Sequence, residues 1–372
     1  MTKSYVWPWV NRLSHLLLIV FLATAYLIGD YKKLADYHVA FGYALGVVFV
    51  FRIIWGFVGP RYSKFKDFNF NLADLKAYLL SPFRKGKPYI GHNPASSYAI
   101  IGMILLTFLT IVFGVLTQGI EKNHGILSLL HNAYFEHMEL FSHLHEFFAN
   151  ALIALIGIHI AGTLIDKFIK KGDAIDAMVN GYKKTKTHVS VRLNIWQKLF
   201  AILWIGVSLF TLYYMLATKD NMWIASANIK QDYAQLHQDF SKECGSCHIT
   251  YPPFLLPKSS WVSMMEHLDN HFGEDASLDE ISKNSIMAFL SQNSAEHSTQ
   301  EAAFKILKSM EQNSTIIAIT ETPYWKHRHR KIKKEVFASA EVKSKANCKA
   351  CHSGIQNGII EDNRIHIPRS EG

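Results

Sequence analysis

Apolar residues crowd into long runs as far as Leu216, whereas from Ala217 onward no apolar stretch is long enough to cross a bilayer. Five runs, roughly 13–29, 38–58, 97–117, 146–166 and 195–216, each approach the ~20 residues a helix needs to traverse a ~30 Å hydrocarbon core. The polar remainder is rich in Glu, Lys, Ser and Asn and reads as a soluble domain. The pattern therefore predicts an all-α membrane protein, with a boundary near residue 217 and a mainly helical soluble domain behind it. Gly29-Asp30-Tyr31-Lys32 follows the first run directly, with no small-residue cleavage site, so an uncleaved anchor is expected there and not a removed signal peptide.

Charge refines this picture. The net +9 of the 372 residues is not spread evenly: Lys and Arg outnumber Asp and Glu 21 to 11 before residue 218, and the count is 18 to 19 after it. The excess lies in two connections, residues 59–93 (Arg61, Lys64, Lys66, Lys76, Arg84, Lys85, Lys87) and residues 167–194 (Lys167, Lys170, Lys171, Lys183, Lys184, Lys186, Arg192). Basic residues favour the cytoplasmic side, so these loops are expected inside. Residues 30–37 and 118–145, with only Lys32, Lys33 and Lys122, are expected on the opposite face. An odd number of spans then places the C-terminal domain outside, which for a bacterial inner-membrane protein means the periplasm. Because the basic excess is a topology signal, no nucleic-acid partner is expected.

All four cysteines fall in the soluble half, as Cys244-Gly245-Ser246-Cys247-His248 and Cys348-Lys349-Ala350-Cys351-His352. C-x-x-C-H is the spacing that lets two thiols bond the two vinyl groups of one haem while the adjacent imidazole ligates its iron. A thioredoxin-like thiol pair and a zinc site are the alternatives, and neither requires the His that follows both motifs. Each iron needs a second axial ligand or an open face. The soluble half offers His237, His267, His271, His297, His327, His329 and His366, with Met264, Met265, Met287 and Met310, and spacing does not choose among them.

Ionisable residues inside apolar spans are costly and mark functional positions. His15 lies near the start of the first span, His38 at the start of the second, and His145 and His159 on the fourth. Fourteen residues separate His145 from His159, nearly four turns, so the two share a helix face about 21 Å apart in depth. Depth pairs His38 with His145 near the outer face and His15 with His159 near the inner one, the arrangement by which a helical bundle holds b-type haem. Gly42 and Gly46 follow His38 at intervals of four and leave room for a flat macrocycle. Arg52, fourteen residues after His38, shares its face at the depth of the inner pair, where a haem propionate could neutralise it. Interhelical hydrogen bonding without a cofactor is the alternative for these histidines. His124, His131, His137 and His143 fall in the outer loop or at its edge and are read as having no cofactor role.

Two resemblances extend these readings. The run from Glu243 to Pro257, then Trp261, His271 to Leu278, Trp325 with His329, and Asn347 to His352 is similar to the bacterial dihaem cytochrome c family over about residues 233–368. That resemblance implies bis-histidine ligation, with His271 and His329 as distal ligands and His327 as the rival for the second position. The run Asn11 to His15, His38 to Gly42, Phe51 to Gly59, Gly91-His92-Asn93-Pro94, Leu144-His145-Glu146 with His159, and Ala177 to Gly181 resembles the bacterial cytochrome b561 family. That family includes the cytochrome b subunits of nickel-iron hydrogenases. This second likeness covers about residues 5–187 and implies two stacked b haems in a four-helix core that exchanges electrons with the quinone pool. The expected domains are then 1–187 (cytochrome b561-like), 188–217 (a fifth span acting as a tether), 218–232 (linker) and 233–372 (dihaem cytochrome c).

The expected cofactors are two non-covalent haem b and two covalent haem c, with quinone or quinol as substrate and a periplasmic cytochrome or other redox protein as partner. Electron flow from quinol to a periplasmic acceptor is the expected function. The reverse flow, from a periplasmic hydrogenase or dehydrogenase to quinone, is the first alternative, and a haem-based gas sensor is the second. No Walker loop or G-x-G-x-x-G fingerprint occurs, and no nucleotide cofactor is expected.

Overall fold

The computed structural model of the chain describes residues 2–80, 89–218, 220–311 and 315–368. Arg84, Lys85 and Lys87 of the first basic loop lie outside the described residues. The chain divides into two compact units, Met1–Gln118 with Met138–Ala225, and Gly119–His137 with Ser226–Gly372.

Among the described residues, five helices of the first unit are long and apolar enough to cross a membrane. They are α1 (Trp9–Ile28), α2 (Ala35–Val58), α4 (Pro94–Leu116), α5 (Met138–Phe168) and α7 (Ile195–Ala217), with α3 (Leu72–Leu80) and α6 (Ala174–Asn180) between them. Their starts are encoded locally. Asn93 accepts from the Ser96 amide at 2.8 Å with Pro94 in the first turn, and Asn194 with Gln197 forms a reciprocal capping box ahead of α7. The helices pack as α1 on α2, α4 on α5, and α2 on α7.

The fifth of these long helices, α7, packs closely on the second, α2. Phe200 and Trp204 of α7, four residues apart, stack against Phe51 and Trp55 of α2 at ring separations of 5.7–6.4 Å, and Trp204 Nε1 donates to the Val47 carbonyl at 2.7 Å. Two aromatic pairs at helical spacing give α7 a matching face, so it is an integral member of the bundle. A two-stranded antiparallel ribbon, β1 (Thr2–Tyr5) with β2 (Tyr182–Thr185), also belongs to this unit.

The second unit is built from short helices, among them α8 (Gln238–Glu243), α9 (Lys258–Glu266), α10 (Glu280–Gln292), α11 (Glu301–Ser309), α12 (Pro323–His329) and α13 (Lys334–Ala338). Two apolar clusters hold it, one around Phe240, Leu256, Trp261, Ile286 and Leu290, the other around Phe254, Ala303, Ile306 and Ile355. Residues 226–232 are packed in this unit, where Ala227 donates to the Asn123 carbonyl and Gln231 to the Asn357 carbonyl, each at 2.9 Å.

Residues 119–137, the connection between α4 and α5, join this unit through a charged network. Lys122 Nζ lies 2.8 Å from Glu301, 3.3 Å from Glu121 and 3.9 Å from Asp362. Lys305 bridges Glu301 and Glu121 at 3.0 and 3.6 Å, and Arg328 bonds Asp362 at 2.6 Å. Burial by itself would raise the Glu301 pKa, but Lys122 and Lys305 hold it down at about 2. Glu361, also opposed by burial, is held at about 2 by the His124 imidazole 3.4 Å away and by hydrogen bonds from Ser226 and Asn228. Both values lie below the ordinary glutamate pKa of ~4.3, so their stabilisation is complete above about pH 4.3 and is lost as pH falls toward 2. Lys122→Met leaves Glu121, only 6% exposed, and Glu301 to share Lys305. That loss is expected to cost about 2–4 kcal/mol and to move the acid-unfolding midpoint of this unit toward neutral pH. Proteolysis across a pH series tests this, and a variant with the wild-type midpoint would show that the network contributes nothing.

Candidate haem sites

His38 at the start of α2 and His145 near the start of α5 are brought together, with ring centroids 5.9 Å apart and ring planes perpendicular at 89°. Each imidazole is held by a carbonyl on a neighbouring helix: His38 Nδ1–H donates to Ala25 at 2.9 Å and His145 Nδ1–H to Thr110 at 2.8 Å. A carbonyl oxygen can only accept, so Nδ1 carries the proton in both rings and Nε2 is left with a lone pair for a metal. Two metal–nitrogen bonds of about 2 Å plus the ring radii place bis-imidazole centroids roughly 6 Å apart, which matches this pair. Around it, a Cβ added at Gly42 would meet nothing within 4 Å and one at Gly46 only Ile111, at 3.9 Å, so this face has the room a macrocycle requires.

Among the described residues, His15 on α1 and His159 on α5 make no ring contact of this kind. Arg52 sits over the Phe65 ring at 5.1 Å, and its buried Nη1 has no hydrogen-bond partner. A buried guanidinium nitrogen without an acceptor suits an anionic group such as a propionate.

In the second unit each motif histidine faces one other. His248 lies 6.3 Å from His271 and His352 lies 6.1 Å from His329, both near the separation set by a shared metal. His248 Nδ1–H donates to Ile249 at 2.7 Å and His329 Nδ1–H to Trp325 at 2.8 Å, with the Trp325 ring stacked 4.2 Å from the His329 ring. His327, by contrast, is exposed and bonded to Arg330. His237 caps α8 and bonds Ser285, and His267 bonds the Ser263 carbonyl, so both are occupied structurally.

The four thiols are unbridged, and burial pushes Cys244 up to about 11 and Cys348 up to about 11. Among the described residues no three His, Cys, Asp or Glu side chains converge as a zinc site would need. The donor sets thus fit haem in both units.

Comparison with known proteins agrees. Residues 6–181 match the family model of prokaryotic cytochrome b561, and residues 240–359 match that of dihaem cytochrome c. The two matches fall in separate parts of the chain, one in each half. This fused cytochrome is 26% identical over 212 residues to a probable Ni/Fe-hydrogenase B-type cytochrome subunit of Rhodobacter capsulatus, covering 49% of this chain and 79% of the relative. A Bradyrhizobium diazoefficiens protein of the same description is 27% identical over 210 residues, covering 47% and 81%. Among solved structures, a diheme cytochrome c from Rhodobacter sphaeroides is 38% identical (33% of this chain, 95% of that one, TM-score 0.30). One from Shewanella baltica is 30% identical (35% and 91%, TM-score 0.29). The two family matches support a membrane b-type cytochrome joined to a dihaem cytochrome c domain, and those families imply haem b and haem c.

The cytochrome also uses residues that sequence reasoning missed. A Cβ at Gly114 would lie 2.9 Å from Cε1 of His145, one turn beyond the carbonyl of Thr110 that orients the same ring. The i, i+4 spacing of Thr110 and Gly114 was legible, but nothing in it pointed to α5. Gly114→Val is expected to displace the His145 ring and lower b haem content while leaving covalent haem unchanged, measured by extraction and pyridine haemochrome spectra. Full b haem content in this variant would mean that His145 is not a ligand. His92 belongs to the Gly91-His92-Asn93-Pro94 run, whose local sequence gives it no partner. Its ring lies between Trp7 and Phe68 at 4.9 and 4.5 Å, and both its Nδ1 and the Tyr62 hydroxyl are buried without a hydrogen-bond partner.

Proposed function

We propose that this cytochrome carries electrons from membrane quinol to a periplasmic redox protein. His38 with His145 and His15 with His159 serve as axial pairs for two b haems, and the two thioether motifs, with His248–His271 and His352–His329 as axial pairs, hold two c haems. The observation that carries the reading is the His38–His145 pair, 5.9 Å apart within apolar helices of a chain that also has two haem-attachment motifs. Haem, when bound, supplies the reversible one-electron chemistry of its iron. The chain's own residues do the rest. Backbone carbonyls of Ala25 and Thr110 fix the imidazole orientation, and Arg52 offers a cation to a propionate. A quinol releases two protons with its two electrons, and His92 and Tyr62 have buried, unpartnered polar atoms suited to hydrogen-bond it. The basic connections 59–93 and 167–194 support a cytoplasmic placement for those loops and a periplasmic one for the C-terminal domain.

The test is composition followed by reduction. Purified protein is expected to contain two haems removed by acidified solvent and two retained on the chain, and quinol is expected to reduce both kinds in reconstituted vesicles. Absence of extractable haem would end the proposal. The description of the curated relatives as hydrogenase cytochrome subunits favours a second reading, with electrons entering from a hydrogenase and leaving to quinone. Titrated potentials separate the two, because a downhill path to the acceptor requires the c haems to lie above the b haems.

A further inference from the structure

The second unit is close to neutral overall, yet its charges are sorted between its two histidine pairs. Residues 326–349, which surround His329 and lead into the second attachment motif, hold nine Lys and Arg against Glu335 and Glu341. Residues 243–280, around His248 and His271, hold seven Asp and Glu against Lys258. Arg328 pairs with Asp362 and Lys326 with Glu321, but Arg330, Lys331, Lys333, Lys334, Lys345 and Lys349 are all exposed. The fold concentrates them at one place. Phe337 of α13 packs 5.9 Å from Trp325 and 6.5 Å from His329, which sets Lys333 and Lys334 at the start of that helix beside the second pair, and Lys349 lies between the two motif cysteines. Around the first pair Glu266, Asp269, Glu274 and Asp275 are likewise exposed.

A run of like charge is ordinarily a solvated face, but a domain near zero net charge gains no solubility from separating its signs. What separation does supply is a directional field that orients a charged partner and raises its rate of encounter. From this we propose that the lysine-rich surface around His329 and His352 is the docking face for an acidic redox protein, and that the acidic surface around His248 and His271 repels the same partner. The proposal rests on the electron-transfer reading above and adds which end of the domain exchanges with the soluble partner, and with what kind of protein. In the exchange one electron leaves the reduced chain and converts a ferric acceptor to ferrous, with no proton moved and no bond formed.

Two probes of one fold and opposite charge test it: a basic cytochrome c, and the same protein fully succinylated so that each lysine carries a carboxylate. Full-length protein in phosphatidylcholine nanodiscs is expected to bind the succinylated probe with an association rate about tenfold or more above that of the native probe at low salt. That preference should vanish between about 0.01 M and about 1 M salt, as the screening length falls from about 30 Å to about 3 Å. The triple variant Lys331→Glu, Lys333→Glu, Lys334→Glu is expected to reverse the preference, and the neutral Lys→Gln triple to abolish it without adding repulsion. Equal binding of both probes, or a preference unchanged in both triples, overturns the proposal. So does a preference that disappears when the nanodiscs contain phosphatidylglycerol, because the patch would then be covered by anionic lipid. Binding with the expected charge and salt dependence but no electron transfer would sink the functional reading and leave the docking face standing.

Discussion

Full-length protein carrying His38→Ala is expected to lose one extractable haem, and His145→Ala to lose the same one, with both covalent haems intact. In the proposed arrangement each imidazole supplies half of one iron's axial field. The two rings stand 5.9 Å apart and are oriented by separate helices, through the Ala25 carbonyl of α1 and the Thr110 carbonyl of α4. Removing an axial ligand should exceed the roughly 10–100-fold affinity loss typical of removing a supporting hydrogen bond, so the site should be empty after purification and not merely weakened. His159→Ala should instead remove the other b haem. Low-temperature absorption and paramagnetic resonance spectra distinguish the two, and different b signals lost in the His38 and His145 variants would refute their pairing.

The second large effect concerns spin state. His329→Ala and His271→Ala should each convert one covalently held haem from low spin to high spin and open it to carbon monoxide, since the thioether bonds retain the haem after its distal ligand is gone. The two variants should affect different haems, because His329 faces His352 and His271 faces His248. His327→Ala is expected to remain fully low-spin, since that ring is exposed and bonded to Arg330. A low-spin His329 variant would return the assignment to His327.

These predictions draw unevenly on sequence and structure. The five spans are legible because run length against bilayer thickness is a local property, and the helices observed begin and end within a few residues of the apolar runs, apart from an eight-residue N-terminal extension of α5. The attachment motifs are legible because thioether spacing is confined to five residues. Pairing His38 with His145 needed only depth, which rise per residue supplies along a straight helix. For the soluble half no such ruler exists. Seven histidines lay open, and the resemblance that suggested His271 and His329 left His327 as a rival to His329.

What the sequence by itself determined, then, is everything carried by short-range periodicity: span count, attachment chemistry, relative depth and charge asymmetry. Tertiary structure alone decided the contacts between distant segments. It set His329 against His352 and turned His327 outward, because a short helix presents residues two apart on different sides. It packed residues 119–137 with 226–372 through Lys122, Glu301 and Lys305, whose partners lie about 180 positions away. It paired Thr2–Tyr5 with Tyr182–Thr185, two four-residue strands too short to show an alternating pattern. Each contact joins segments whose local sequence is indifferent to the other, so only the closed chain, in which buried charges and backbone groups must find partners, selects them.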